Sequence, residues 1–188
     1  MTQEDRQKWD DRYESDSMWQ RDRRPFPWLA EHAPRSEGGL ALDLACGLGQ
    51  NAVYLAQQGY RVVAIDGSRV GLRRGQTSAR EQGQAGRILF IQADLDHFRP
   101  LPGCCDLLCV IRFLSRDLFP WLVSALRPGG RLIYATLNWR WAETHPEVNP
   151  DFLLGPGELP GAFPGLSLVD HREDAEMSYA AFFKAPAR

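Results

Sequence analysis

The chain has 188 residues, 22 Lys+Arg against 24 Asp+Glu, and is 44% hydrophobic, enough for one core without disulfide or metal staples. A formal net charge of −2 argues against a polybasic nucleic-acid binder, because phosphate recognition needs a clear excess of cations. No apolar run nears the roughly 20 residues that span a bilayer, and the opening MTQEDRQKWDDR has no apolar signal core, so a cytoplasmic protein with no membrane partner is expected.

Along the chain, Trp9 and Tyr13 share a helix face at i,i+4, and Pro25-Phe26-Pro27-Trp28-Leu29 opens a second short helix. From Leu40 onward, strand-like and helical patterns alternate. Leu40 to Cys46 reads as a strand, followed by Gly47-Leu48-Gly49 and a helix over Asn51 to Gln58 that Gly59 closes. Arg61 to Asp66 is the second strand, and an Arg-rich helix runs from Arg69 to Gln82. Arg87 to Gln92 and Asp106 to Ile111 are the third and fourth strands. Leu118, Leu122 and Leu126 recur at helical spacing, with Pro120 tolerable in the first turn. Pro128-Gly129-Gly130 stops that helix and Arg131 to Thr136 is the fifth strand. The stretch from Asn149-Pro150 to Pro164 leaves room for one short helix, and Leu166 to Asp170 with Ser178 to Phe183 make an antiparallel hairpin.

Apolar strands separated by helices predict a parallel sheet with right-handed crossovers, a doubly wound Rossmann-like α/β fold with helices on both faces. One domain over residues 1–188 is expected, with 1–39 outside the alternation and 40–188 as its core. Cys46, Cys104, Cys105 and Cys109 show no CxxC pair and no zinc-like His spacing, so all four read as reduced thiols and no metal is expected.

Gly47-Leu48-Gly49-Gln50-Asn51-Ala52 fits G-x-G-x-x-G/A between a strand and a helix, and Asp66 ends the next strand where a ribose-binding acid belongs. Dinucleotides and S-adenosylmethionine share this layout. A pyrophosphate wants backbone N–H groups and no nearby anion, whereas Asp43 stands four residues before Gly47. That acid suits a ligand carrying a sulfonium and an ammonium. Asp94 ends the third strand and suits an adenine amino group, with Leu95 offering a backbone N–H and an apolar contact. Three acids at three successive strand ends favour S-adenosylmethionine.

The series Asp43-Leu-Ala-Cys46-Gly47-Leu-Gly49-Gln-Asn51-Ala, Val63-Ala-Ile-Asp66-Gly-Ser68, Ala93-Asp94-Leu95 and Pro128-Gly129-Gly130 resembles the motifs of class I S-adenosylmethionine-dependent methyltransferases. Ile111-Arg112-Phe113-Leu114-Ser-Arg116-Asp-Leu-Phe119-Pro120 and Asn149-Pro150 through Pro156-Gly157-Glu158-Leu159 are similar to the tellurite-resistance branch. Trp9-Asp-Asp-Arg12-Tyr13 resembles the cap of that branch and of the thiopurine methyltransferases. The resemblance implies a seven-stranded sheet with an antiparallel last strand and an N-terminal helical cap over 1–39. It implies a cofactor lying across Asp43, Gly47, Gly49, Asp66, Ser68, Asp94, Leu95 and Arg112, with Ala45, Cys46, Asn51 and Gly67 in the same motifs. Arg12 is implied beside the methionine carboxylate. Pro160 follows Leu159 where the branch continues a helix, so that helix is expected to be cut short.

The expected activity is methyl transfer to a small-molecule nucleophile, a chalcogen oxyanion or a thiol. Alignment is the main task, and soft nucleophiles need no strong base. Candidate bases are His97 and His145, with His32 and His171 peripheral. Arg112 is the substrate-side candidate, joined by Arg116. Trp9, Tyr13, Trp19, Phe26 and Trp28 are candidates to roof the site, and Trp139 and Trp141 flank Arg140 on a loop facing substrate. Arg21, Arg23 and Arg24 read as a solvated helix end. An NAD(P)-dependent oxidoreductase, disfavoured by Asp43 and by the lack of a Tyr-x-x-x-Lys pair, and a non-catalytic S-adenosylmethionine-binding regulatory module are the alternatives. Oligomeric state is left open.

Overall fold

The computed structural model describes residues 3–15 and 23–186; Trp19 and Arg21 lie outside them. The strands form a seven-stranded sheet in the order Ile88–Gln92, Arg61–Asp66, Leu40–Leu44, Cys105–Ile111, Leu126–Leu137, Met177–Phe183, Ser167–Glu173, and the chain divides into two compact units, Met1–Phe98 and Arg99–Arg188.

The first unit holds α1 (Gln3–Glu14), α2 (Pro27–His32), β1 (Leu40–Leu44), α3 (Gln50–Gln57), β2 (Arg61–Asp66), α4 (Arg69–Glu81) and β3 (Ile88–Gln92). β1 pairs parallel with β2 from Leu40↔Arg61 to Leu44↔Ile65, and β2 pairs parallel with β3 from Val62↔Ile88 to Asp66↔Gln92. Parallel strands covered by helices must be apolar on both sides, and Ala41, Leu42, Leu44, Val62, Ala64 and Ile65 are all buried. On α4 the buried residues Gly71, Leu72, Gly75, Ser78 and Ala79 form a single stripe at helical spacing. The stripe is built of small side chains, so the helix packs closely. α1 has no fully buried residue, so it docks through individual side chains rather than an apolar stripe.

The second unit holds β4 (Cys105–Ile111), α5 (Phe119–Ala125), β5 (Leu126–Leu137), α6 (Trp141–Thr144), α7 (Glu158–Gly161), β6 (Ser167–Glu173) and β7 (Met177–Phe183). β4 and β5 are parallel, while β7 runs antiparallel to both β5 and β6. β5 is longer than expected. Leu126 leaves the helix and pairs with Cys105, and a register irregularity lets the Pro-Gly-Gly segment pass before Arg131 pairs with Leu107. Lys184 Nζ donates to the carbonyls of Val123 and Leu126 at 2.8 and 2.7 Å, tying that junction down. Phe163 packs against Phe119, Tyr134 and Phe182 with ring centroids 4.7–5.5 Å apart. β6 is exposed along its whole length, and its Asp170, His171, Arg172 and Glu173 guard a free edge. α7 has four residues, cut short as Pro160 predicts. None of the four cysteines is in a disulfide.

Candidate functional site

The turn from β1 into α3 winds left-handed three times, at Ala45 (φ 56), Gly47 (φ 52) and Gly49 (φ 74). For Ala45 this conformation costs roughly 1–2 kcal/mol, a cost the surrounding bonds must offset. Cys46 N–H donates to Ile65 O at 3.0 Å, and Gly49 N–H donates to Cys46 O at 2.8 Å. Asp66 closes the arrangement. Its Oδ2 accepts from Gly47 N–H and its Oδ1 from Ser68 N–H, each at 2.8 Å. Burial pushes the Asp66 carboxyl above the usual range, while these amides pull the other way. Asp43, 1% exposed, lies in β1 two residues before the turn. The amides of Gly47 and Gly49, which a pyrophosphate would need, are thus already spent on Asp66 and on Cys46 O. Carboxylates at the same turn favour a ligand with positive charge.

Ser68 caps α4, its Oγ accepting from Gly71 N–H at 3.0 Å. Helix α1 reaches this corner with three side chains. Asp10 Oδ1 accepts from the Ser68 hydroxyl and from Val70 N–H, the latter at 3.2 Å. Tyr13 lies in a notch between two glycines: a Cβ on Gly47 would stand 2.7 Å from its Oη, and one on Gly71 3.1 Å from its Cδ2. Burial, then the charge of Asp66, drive the Tyr13 phenol well above its ordinary pKa, so it remains a proton donor. Arg6 Nη2 lies 3.5 Å from Asp94 Oδ2. Arg6 and Asp94 also line a cavity of about 300 Å³ with Gly67, Gln92 and Ala93. Gln92 Nε2 donates to Gly67 O at 3.0 Å, and Leu95 is buried beyond Asp94.

Several expected residues have other partners. Arg12 is exposed, its guanidinium 5.0 Å over the Trp9 ring, which in turn stacks on Tyr13. Asn51 is buried, and its Oδ1 accepts from Phe26 N–H at 2.9 Å, anchoring the entry to α2. His97 is exposed in the turn after β3. Asp10 and Arg6 carry no motif that marks them in the sequence, and Tyr13 is legible there only as part of the expected cap. A signal for the Tyr13 notch exists: Gly71 sits inside a helix, where glycine costs about 1 kcal/mol against alanine, which marks a close approach.

In the second unit, Arg112 (φ 57) leaves the carboxyl end of β4 exposed, its N–H donating to Ala135 O at 2.7 Å. The next carbonyl, Phe113 O, accepts from Tyr134 Oη at 2.8 Å, so this strained residue is fixed from both sides. Arg116 is bonded into the Pro-rich segment after β5. It forms a two-pronged pair with Glu158 at 2.7 and 2.8 Å and donates to the carbonyls of Asp151 and Leu153 at 3.0 and 2.9 Å. The same pairing holds the Glu158 carboxyl below its usual range. Arg140 lies 4.9 Å over Trp139, whose Nε1 donates to Glu173 at 3.4 Å. His145 stacks on Trp141. His32 lies on Trp28, and His171 is exposed on the edge strand β6. Among the described residues no group of His, Cys, Asp and Glu could hold a metal ion, and no helix is long and apolar enough to cross a membrane.

Residues 41–130 match the family model described as a methyltransferase domain. YqeM of Bacillus subtilis (strain 168) is 26% identical over 164 residues, covering 82% of this chain and 58% of that one. The chain spans 34–58% of the length of the curated relatives it matches. Among solved structures, one described as the conversion of a disulfide bond into a thioacetal group during echinomycin biosynthesis superposes with a TM-score of 0.73 at 18% identity, covering 96% of this chain and 92% of the other. Geranyl diphosphate C-methyltransferase from Streptomyces coelicolor A3(2), crystallised with Mg2+, geranyl-S-thiolodiphosphate and S-adenosyl-L-homocysteine, superposes at 0.70 and 16% identity, over 84% of this chain and 74% of that one. These likenesses establish the fold: a seven-stranded, mostly parallel sheet whose last strand is antiparallel.

Proposed function

We propose that the protein is an S-adenosylmethionine-dependent methyltransferase acting on a small nucleophile. The observation that carries this reading is the corner where Asp66 grips the glycine turn. The amides of Cys46, Gly47 and Gly49 are already bonded to the chain, and Asp43, Asp66 and Asp94 stand at the carboxyl ends of three neighbouring strands. A ligand with a cationic centre, a ribose and an adenine fits that donor set, and a dinucleotide pyrophosphate does not. The match of residues 41–130 to a methyltransferase domain supports the same reading.

On this reading, the turn of Ala45, Cys46, Gly47 and Gly49 carries the amino-acid end of the cofactor, near Asp43. The second lone pairs of Asp66 accept from the ribose hydroxyls. Asp94 and Leu95 take the adenine, with Gly67 and Ser68 completing the wall. Residues 1–39 serve as a cap, in which Tyr13 supplies a hydroxyl at Gly47 and Arg12 a cation for the carboxylate. Asn51 supports the turn through its bond to Phe26. Arg112 offers a guanidinium to an anionic acceptor or to the amino-acid carboxylate. The bound cofactor supplies an activated methyl; the chain's own task is to align the acceptor and exclude water.

The acceptor we assign is a thiol or a chalcogen oxyanion. The Arg112 and Glu158 segments favour it through their likeness to the tellurite-resistance branch, and the echinomycin-pathway structure that superposes best among those above is named for chemistry at sulfur. The test is incubation with methyl-labelled S-adenosylmethionine and, separately, tellurite, selenite and simple thiols, with detection of methylated, including volatile, products. Label transfer to one of these supports the assignment. Binding of the cofactor with transfer to none of them sinks the acceptor class.

A further inference from the structure

The segment that follows the carboxyl end of β5 holds an imidazole fixed on two sides. His145 lies face to face on Trp141, with ring centroids 3.7 Å apart and planes within 7°, which sets the plane of the ring. Its Nδ1 stands 2.9 Å from Thr144 Oγ1, which sets the rotation within that plane. The threonine hydroxyl has one proton to give. It also stands as a donor 3.4 Å from the Trp141 carbonyl oxygen, a long contact but one that hydroxyl can make only by donating. Both contacts coexist when the hydroxyl donates to the carbonyl and accepts from Nδ1–H. The lone pair of the neutral ring then sits on Nε2, the arrangement of a proton acceptor.

Placement supports a role in chemistry. Ligands of open α/β sheets bind outside the carboxyl ends of the strands. Within the second unit, Arg112 emerges from that end of β4, and the Trp139–His145 segment from that end of β5, its parallel neighbour. A chalcogen oxyanion attacks through a chalcogen lone pair that bears no proton, so an oriented base does little for it. A thiol, with an ordinary pKa of about 8.5 against about 6.5 for imidazole, is largely protonated at neutral pH and gains from one.

We infer that Nε2 of His145 receives the proton of the acceptor, that Thr144 is its positioning residue, and that the acceptor is a thiol. This rests on the methyl-transfer reading above. As the acceptor sulfur bonds to the methyl carbon, the bond from that carbon to the cofactor's sulfonium breaks, its electron pair staying on the departing sulfur. The acceptor's S–H proton passes to Nε2 and later to water.

The first test needs no activity. Nitrogen-edited NMR of the full chain, with the ring neutral, should show His145 protonated on Nδ1, and Thr144→Val should move that proton to Nε2. The second uses dithiothreitol as acceptor: His145→Gln should lower kcat about a hundredfold with KM and cofactor affinity unchanged, and imidazole should restore part of the rate to His145→Gly. With thionitrobenzoate, an acceptor already anionic at sulfur, the loss should shrink. A wild-type ring protonated on Nε2, or a dithiothreitol rate indifferent to His145→Gln, overturns the inference while leaving the methyl-transfer reading standing. Failure of the wild-type chain to bind S-adenosylmethionine overturns both.

Discussion

Replacing Gly71 by alanine sets two effects of known size against each other. Gly71 lies inside α4 with φ outside the left-handed region, so helix propensity alone predicts that Gly71→Ala stabilises by about 1 kcal/mol. The added Cβ would stand 3.0 Å from Gly47 O and 3.1 and 3.2 Å from two ring carbons of Tyr13. Ordinary carbon contacts begin several tenths of an ångström farther out, so the ring and the loop must both move. The loop resists, because Asp66 holds Gly47 through a 2.8 Å bond to its amide. Overpacking of this kind costs typically 1–3 kcal/mol, and the expected net effect is a destabilisation of roughly 0–2 kcal/mol with α1 loosened. Urea denaturation gives the sign, and limited trypsin cleavage at Arg6 and Arg12 reports on α1. In a Tyr13→Ala background two of the three contacts vanish, so the cost should fall by about 1 kcal/mol, a coupling that a double-mutant cycle resolves. A Gly71→Ala chain stabilised by the full propensity gain, with α1 cleaved no faster, would refute the claim that Tyr13 is seated in this notch.

Other expectations follow from the same contacts. Asp66→Asn retains one acceptor oxygen and turns an amide N–H toward Gly47 or Ser68, which should cost about 1–3 kcal/mol. Because burial raises the folded-state pKa of Asp66, its contribution is fully present below its unfolded pKa and is lost as pH rises through the raised value. The stability gap between wild type and Asp66→Asn should therefore narrow as pH rises, and denaturation across that range showing a widening gap would contradict the assignment. Arg116→Ala should cost about 1–2 kcal/mol, discounted for exposure of the pair, and should speed proteolysis within residues 150–157. Arg116→Lys should rescue little, since one ammonium cannot serve both Glu158 and two carbonyls. Arg112→Gly removes a left-handed side chain and should stabilise by about 1 kcal/mol while lowering methyl transfer. A variant that loses stability would show that Arg112 is held for folding instead.

Most of the sheet is legible in the sequence because buried parallel strands announce themselves as short apolar runs: Arg61–Asp66 coincides with β2, and Asp106 to Ile111 with all but the first residue of β4. The glycine turn and its acid are legible because left-handed turns need glycine and the next strand fixes the spacing to Asp66. The contacts of α1 are not. That helix carries one apolar pair, Trp9 and Tyr13, in an otherwise polar sequence and has no fully buried residue, so the docking of Asp10 and Arg6 beside Tyr13 leaves no pattern in the sequence, while Arg12, the expected contact, lies over Trp9. The pairing of Arg116 with Glu158 spans 42 residues and depends on how the Pro-rich segment folds back, which local pattern does not encode. The early start of β5 escapes for a similar reason. Pro-Gly-Gly reads as a stop, and only the pairing of Leu126 with Cys105 carries the strand through it.

The central claim is that the Asp66 corner binds S-adenosylmethionine, and calorimetric titration of the full chain with S-adenosylmethionine and, separately, NADH tests it most directly. One site for S-adenosylmethionine is expected, none for NADH, and a loss of about 1–3 kcal/mol in affinity for an Asp66→Ala chain that remains folded. Binding of NADH without S-adenosylmethionine, or an affinity for S-adenosylmethionine that Asp66→Ala leaves unchanged, would contradict it.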